Sequence, residues 1–93
     1  MAELKLRKPF DLDGEKVEVI NYDLDALTGN DIERAIGELG KKGIVIAMAE
    51  TDQRYHAMLF GIAAGIDYAD VNRLPAKDFA KATAIVRDFF LEE

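Results

Sequence analysis

The 93-residue chain contains no cysteine, which removes disulfides, thiolate nucleophiles and zinc–thiolate centres. Histidine occurs once, at His56, whereas a metal site needs three or four converging ligands. Asp52, one helical turn back, is the only neighbour of suitable chemistry, so a surface histidine loosely paired with that carboxylate is expected. Nor does the flanking sequence offer His56 the nucleophile and orienting partner that a general base requires. Long apolar runs are also missing. Met58 to Ile66, glycines included, is nine residues, against the ~20 that a membrane-spanning helix needs. Basic excess is absent as well. The 18 acidic and 12 basic side chains leave a net charge of −6, which repels phosphate backbones and anionic lipid. The opening residues, Met1-Ala2-Glu3-Leu4-Lys5, lack the apolar centre of a secretory signal, so a cytoplasmic location is expected.

What is present is an ordinary globular balance, 49% hydrophobic and 32% charged, enough for one small domain spanning 1–93. Leu4 and Leu6 alternate with Glu3, Lys5 and Arg7, and Val17 and Val19 alternate with Lys16 and Glu18. That period of two marks half-buried strands. Asp13-Gly14 between them is a two-residue hairpin turn, since glycine tolerates the positive φ such turns demand. The turn sets Phe10 opposite Val17, Lys8 opposite Val19, and Asp11 opposite Lys16 as a favourable charge pair. Leu4, Leu6, Phe10, Val17 and Val19 then share one face.

Beyond Ala26 the period lengthens. Ile32, Ala35, Ile36 and Leu39 follow helical spacing, with Asn30 and Glu33 as a capping-box-like start and Lys41-Lys42 between glycines as a stop. A first helix is expected over about residues 30–40. Ile44 to Ala49 is a continuous apolar run for which strand, linker and helix start all remain open, with an extended conformation preferred. Thr51 is expected to cap a second helix whose stripe is Tyr55, Met58, Leu59, Ile62, Ala63 and Ile66. Asp67 to Leu74 reads as a polar connector with room for one short helical turn. Pro75 opens a third helix lined by Phe79, Ala82, Val86, Phe89 and Phe90. The expected fold class is α+β, an N-terminal β-hairpin followed by three α-helices.

Motifs that could carry chemistry each have a plainer explanation. Most carboxylates sit at caps, turns or polar helix faces, where solvation leaves none of the separated pKa values that acid–base pairs require. Gly37, Gly40 and Gly43 interleave with Lys41 and Lys42, but they end a helix instead of opening one after a strand, as a phosphate-binding loop must. Gly61 and Gly65 suit close approach of another backbone, within the chain more naturally than from a partner. The stretch Ile62 to Leu74 resembles the helix–turn–helix core of bacterial repressors. Asp52, Asp67, Asp70 and Asp78 against Arg54, Arg73 and Lys77 nevertheless give no basic footprint there, and Pro75 cuts the recognition helix short. No cofactor-binding motif and no catalytic constellation emerges, so a non-enzymatic protein is expected.

Read end to end, the chain resembles the phage tail assembly chaperones of Mu-like, contractile-tailed phages and prophages. The resemblance is carried in order by Leu4 or Leu6 to Pro9-Phe10, by Asp13-Gly14-Glu15 and by Leu27-Thr28-Gly29-Asn30-Asp31-Ile32. It continues through Glu50-Thr51-Asp52 with Arg54-Tyr55, Ala63-Ala64-Gly65-Ile66, Leu74-Pro75-Ala76-Lys77-Asp78-Phe79 and Val86-Arg87-Asp88-Phe89-Phe90-Leu91. At Asn21-Tyr22-Asp23 the chain departs from the Arg-Glu-Pro of many members. The resemblance implies a protein that binds the long, helical tape measure protein and helps tail tube subunits assemble around it. Many relatives also occur in a longer, frameshifted form. Glu92 and Glu93 put negative charge at the negative end of the last helix, which favours fraying there.

The resulting expectation is a chaperone or, as the alternative, a small helix–turn–helix regulator. The chaperone needs an apolar strip for its partner, expected at Phe89 and Phe90 with help from Tyr55 and Met58. The competing reading makes all four core residues, and it is preferred for Tyr55 and Met58. Self-association through such a strip is compatible with the sequence.

Overall fold

In the computed structural model, which describes residues 2–92, Asp13 and Gly14 form the hairpin turn with φ of 53° and 83°. Both values are positive, as the tight turns that match strand twist require. The turn joins β1, Ala2–Leu12, to β2, Glu15–Tyr22. Beside it the expected register holds, with Phe10 facing Val17 and Asp11 facing Lys16.

Further out the register changes. Lys8 does not face Val19; Lys5 does, and Leu4 faces Ile20. The four residues Leu6 to Pro9 therefore stand against Glu18 alone, a bulge in β1. Pro9 has no N–H to give to a ladder, which favours a bulge at this point. The freed Arg7 N–H donates instead to the buried Asp78 carboxylate, at 3.1 and 3.3 Å from its two oxygens. The slip is by an odd number of residues, so it exchanges the faces of β2. The inward residues of β2 become Ile20 and Tyr22, and Val19, expected inside, is exposed. β1 keeps its face throughout, through Leu4, Leu6 and Phe10.

After a 3₁₀ turn, Leu24–Ala26, the chain enters α1, Gly29–Lys41. Its cap is Thr28, not Asn30. The Asp31 N–H donates to Thr28 Oγ1, and the Thr28 N–H donates back to Asp31 Oδ2 at 2.9 Å. This reciprocal pair satisfies two otherwise unpartnered donors. Ala35 and Leu39 are buried, but Ile36, on the edge of the expected stripe, faces outward. Past Lys41 the chain turns through Gly43, φ 79°, with the Ile44 N–H returning to the Leu39 carbonyl. Residues 44–49 form neither helix nor strand.

Helix α2, Gln53–Ala64, is capped by Asp52, whose carboxylate accepts from the Arg54 and Tyr55 N–H groups. Thr51, expected as the cap, instead donates its hydroxyl to the Met48 carbonyl. Every residue from Tyr55 to Gly61 is buried, because α2 is the centre of the fold. It packs against α1, β2, the short helix α3 (Tyr68–Val71) and α4 (Ala76–Leu91). Phe60 is fully enclosed, its ring 5.4 Å from that of Tyr22. The α2–α3 corner is tight. A Cβ on Gly61 would lie 2.6 Å from the Ile66 carbonyl oxygen, so the close approach expected of this glycine occurs within the chain. The Asp23 N–H donates to the Ala63 carbonyl, fastening the end of β2 to the end of α2. The architecture is thus the expected α+β hairpin followed by helices. The turn allowed for in the connector is α3, and Pro75 stands just ahead of α4 as its cap residue.

Candidate docking surface

The polar groups are used for architecture. His56 is 3% exposed, not at the surface as its spacing from Asp52 suggested, because α4 covers that face of α2. Burial lowers its pKa first, and the nearby Arg87 charge adds to this, while Asp52 pulls the other way. Asp52 lies below the usual carboxylate range, chiefly through the Arg54 side chain, which donates to it at 2.9 Å. Thr83 on α4 accepts from Gln53 Nε2 at 3.1 Å, which bridges α4 to the start of α2. Asp78 serves the hairpin bulge. Among the described residues no three His, Asp or Glu side chains gather as a metal site would require.

The helix–turn–helix alternative finds no support. Its second helix is only the single turn Tyr68–Val71. Arg73, the basic residue at its end, is held by Asp70 and by the Asp11 carbonyl, with its guanidinium 4.9 Å from the centre of the Phe10 ring. A charge tied down in this way is not offered to a phosphate.

Besides Val19 on β2 and Ile36 on α1, apolar surface among the described residues remains in two places. One is the last turn of α4. Phe89 is half-buried, Phe90 is 43% exposed and Leu91 is 65% exposed. The two rings meet edge to face at 5.2 Å, a favourable arrangement for neighbouring aromatics. Beyond them Glu92 leaves the helix in an extended conformation, and Glu93 lies outside the described residues. The other place is the 44–49 segment, where Val45 is 82% and Met48 61% exposed. Tyr55 and Met58 lie elsewhere, both buried in α2. The structure therefore does not bring the four sequence-derived residues into one patch. Val45 and Met48 were missed because an apolar run between helices reads equally well as a buried strand. The signal that could have found them is the pair of flanking glycine and acidic stops, which isolates the run from both helices.

No helix among the described residues is long and apolar enough to cross a membrane. The class defined by these features is a small α+β domain with exposed apolar elements and polar groups committed to capping and bridging. Residues 3–91 match the family of phage tail assembly chaperone proteins, E, or 41 or 14, and the chain belongs to that family. No curated protein and no solved structure gives a significant match. Membership supports a role in tail assembly with protein partners, and a family of chaperones suggests a role without catalysis.

Proposed function

We propose that the protein is a non-enzymatic tail assembly chaperone of a Mu-like, contractile-tailed phage or prophage, working in the host cytoplasm. Its client is the tape measure protein, which it holds soluble while tail tube subunits assemble. The observation that carries this reading is the exposed aromatic end of α4 in a chain matched to the family over residues 3–91. A long helical client presents apolar stripes along its length, and an amphipathic helix docks through such stripes onto apolar residues of a partner. Phe90 and Leu91 supply contact area, and the Phe89 ring packs against that of Phe90 edge to face. Tyr55 and Met58, both buried in α2, contribute only as part of the core and not as contact surface. The net charge of −6 favours solubility while the apolar surface is unoccupied.

Co-expression with the tape measure protein tests the reading. The Phe89→Ser plus Phe90→Ser double variant should lose the ability to keep the client soluble. A Phe90→Ser plus Leu91→Ser variant, which spares the half-buried ring, should do the same with an unchanged circular dichroism spectrum. Full solubilisation by both variants would refute the assignment of this surface.

A further inference from the structure

One polar residue stands apart from the capping and bridging described above. His56 is 3% exposed, yet among the described residues no hydrogen bond ends on either of its ring nitrogens, and neither nitrogen is sealed from water. The ring lines a cleft between the first turns of α2 and the middle of α4, with Gln53 beside it and Ala80, Ala84 and Arg87 on the α4 wall. The hydrogen bond from Gln53 to Thr83 crosses that cleft. A recessed imidazole without a partner is uncommon, because buried polar groups are almost always hydrogen-bonded.

We propose that the α2–α4 cleft binds a side-chain carboxylate of a protein partner, held between the His56 imidazole and the Arg87 guanidinium. Arg87 supplies the charge. Its Nε and one amino group reach Asp88 Oδ1 at 3.2 Å each, and its other amino group makes no hydrogen bond among the described residues. Both partners of that pair are exposed, and exposed ion pairs hold weakly, which leaves the guanidinium able to turn to a second carboxylate. His56 supplies a ring N–H. Asp52 acts on the ring from the α2 cap, but its carboxylate is already held by the Arg54 side chain at 2.9 and 3.2 Å. The Tyr55 ring, 5.7 Å from that of His56 between centres, is uncharged at neutral pH. Burial first, and the Arg87 charge second, disfavour the imidazolium. An arriving carboxylate offsets the second of these, so binding draws a proton onto His56. By linkage, the carboxylate then binds more tightly as pH falls.

The donor set suits a carboxylate better than a phosphate. One guanidinium and one imidazole satisfy two oxygens, whereas a phosphate dianion brings more oxygens and more charge than these donors meet. Proteins are the partners that family membership supports. A Glu side chain carries its carboxylate on an arm that enters past the exposed Ala80 to a ring set back from the surface. In naming that source the inference rests on the proposed function; the site itself does not.

His56 is the only histidine in the chain, so its ring protons report on the cleft directly in an NMR titration of the full chain. N-acetylglutamate α-amide, which presents one side-chain carboxylate, should shift those resonances saturably and raise the pKa at which they titrate. Its glutamine counterpart should do neither. Binding should be roughly threefold tighter at pH 5.5 than at pH 8. Arg87→Gln should weaken it roughly tenfold or more. Ala80→Leu, which narrows the mouth and keeps both polar groups, should do the same, whereas Arg34→Gln on the exposed face of α1 should change nothing. Acetate, a carboxylate without the arm, should bind more weakly. An absent response overturns the proposal, as does one shared by the glutamine compound or kept by Arg87→Gln. Tighter binding of acetate overturns the side-chain source, and a response to inorganic phosphate alone overturns the carboxylate. No arm touches the α4 tip, so Phe90 and Leu91 can fail as the client surface while this site stands, and the reverse.

Discussion

Helix α2 and the segment just before it are made of the same apolar stuff and meet opposite fates. Met58, Leu59 and Phe60 are sealed from water, whereas Val45 and Met48 stand in it. The difference is the number of elements on each side. Four helices and strands close around α2, but the 44–49 segment rests on the core along one edge. Apolar composition alone therefore does not say whether a residue holds the fold or serves a contact. Topology decides.

That contrast can be broken by substitution. Phe60→Ala should produce the largest effect, a loss of about 3–5 kcal/mol in chemical denaturation, since the cavity lies where every neighbour is already fixed. Asp78→Ala should cost about 1–3 kcal/mol by leaving the Arg7 N–H without its acceptor at the bulge. Asp78→Asn, which keeps a carbonyl oxygen, should recover part of that loss. A smaller effect belongs to His56. Its pKa is lower in the folded chain than the usual value of about 6.5, so the unfolded chain binds the extra proton first as pH falls. Stability from this group is fully present above about pH 6.5 and declines as pH drops towards the folded pKa. The urea midpoint should fall between about pH 7.5 and 5.5, and His56→Gln should flatten that slope. At the far end of the scale, Val45→Ser should change monomer stability by less than about 0.5 kcal/mol. A loss there comparable to that at Phe60 would erase the distinction between the two regions.

The parts of this architecture that local chemistry dictates were readable in advance. Asp13-Gly14 defined the turn and the pairs beside it, and the stripe from Tyr55 defined α2, except that Ile66, expected at its end, lies past the left-handed Gly65 that stops the helix at Ala64. Longer-range facts were not readable. The Leu6–Pro9 bulge is completed by Asp78, 71 positions away, and no alternation within the strands announces such a partner. Lost with it was the exchange of faces that buries Ile20 and Tyr22 and exposes Val19. His56 was misplaced for a similar reason, because its burial depends on α4 closing over α2. At the α1 cap, Thr28 and Asp31 outcompeted Asn30 and Glu33, two pairs with the same spacing. Of the exposed apolar residues, Phe90 could be named from the chain's last helix. Val45 and Met48 could not be told from a buried strand.

The attachment of Asp78 to the β1 bulge has a mechanical consequence. It pins the first turn of α4 to the hairpin, and Thr83 and Val86 fix the middle of the helix to the core. The last turn meets the core only through half-buried Phe89. α4 is thus moored at its root and along its middle and most lightly at its tip, so fraying that starts from Leu91 halts at Val86 and leaves the knot at the hairpin tied.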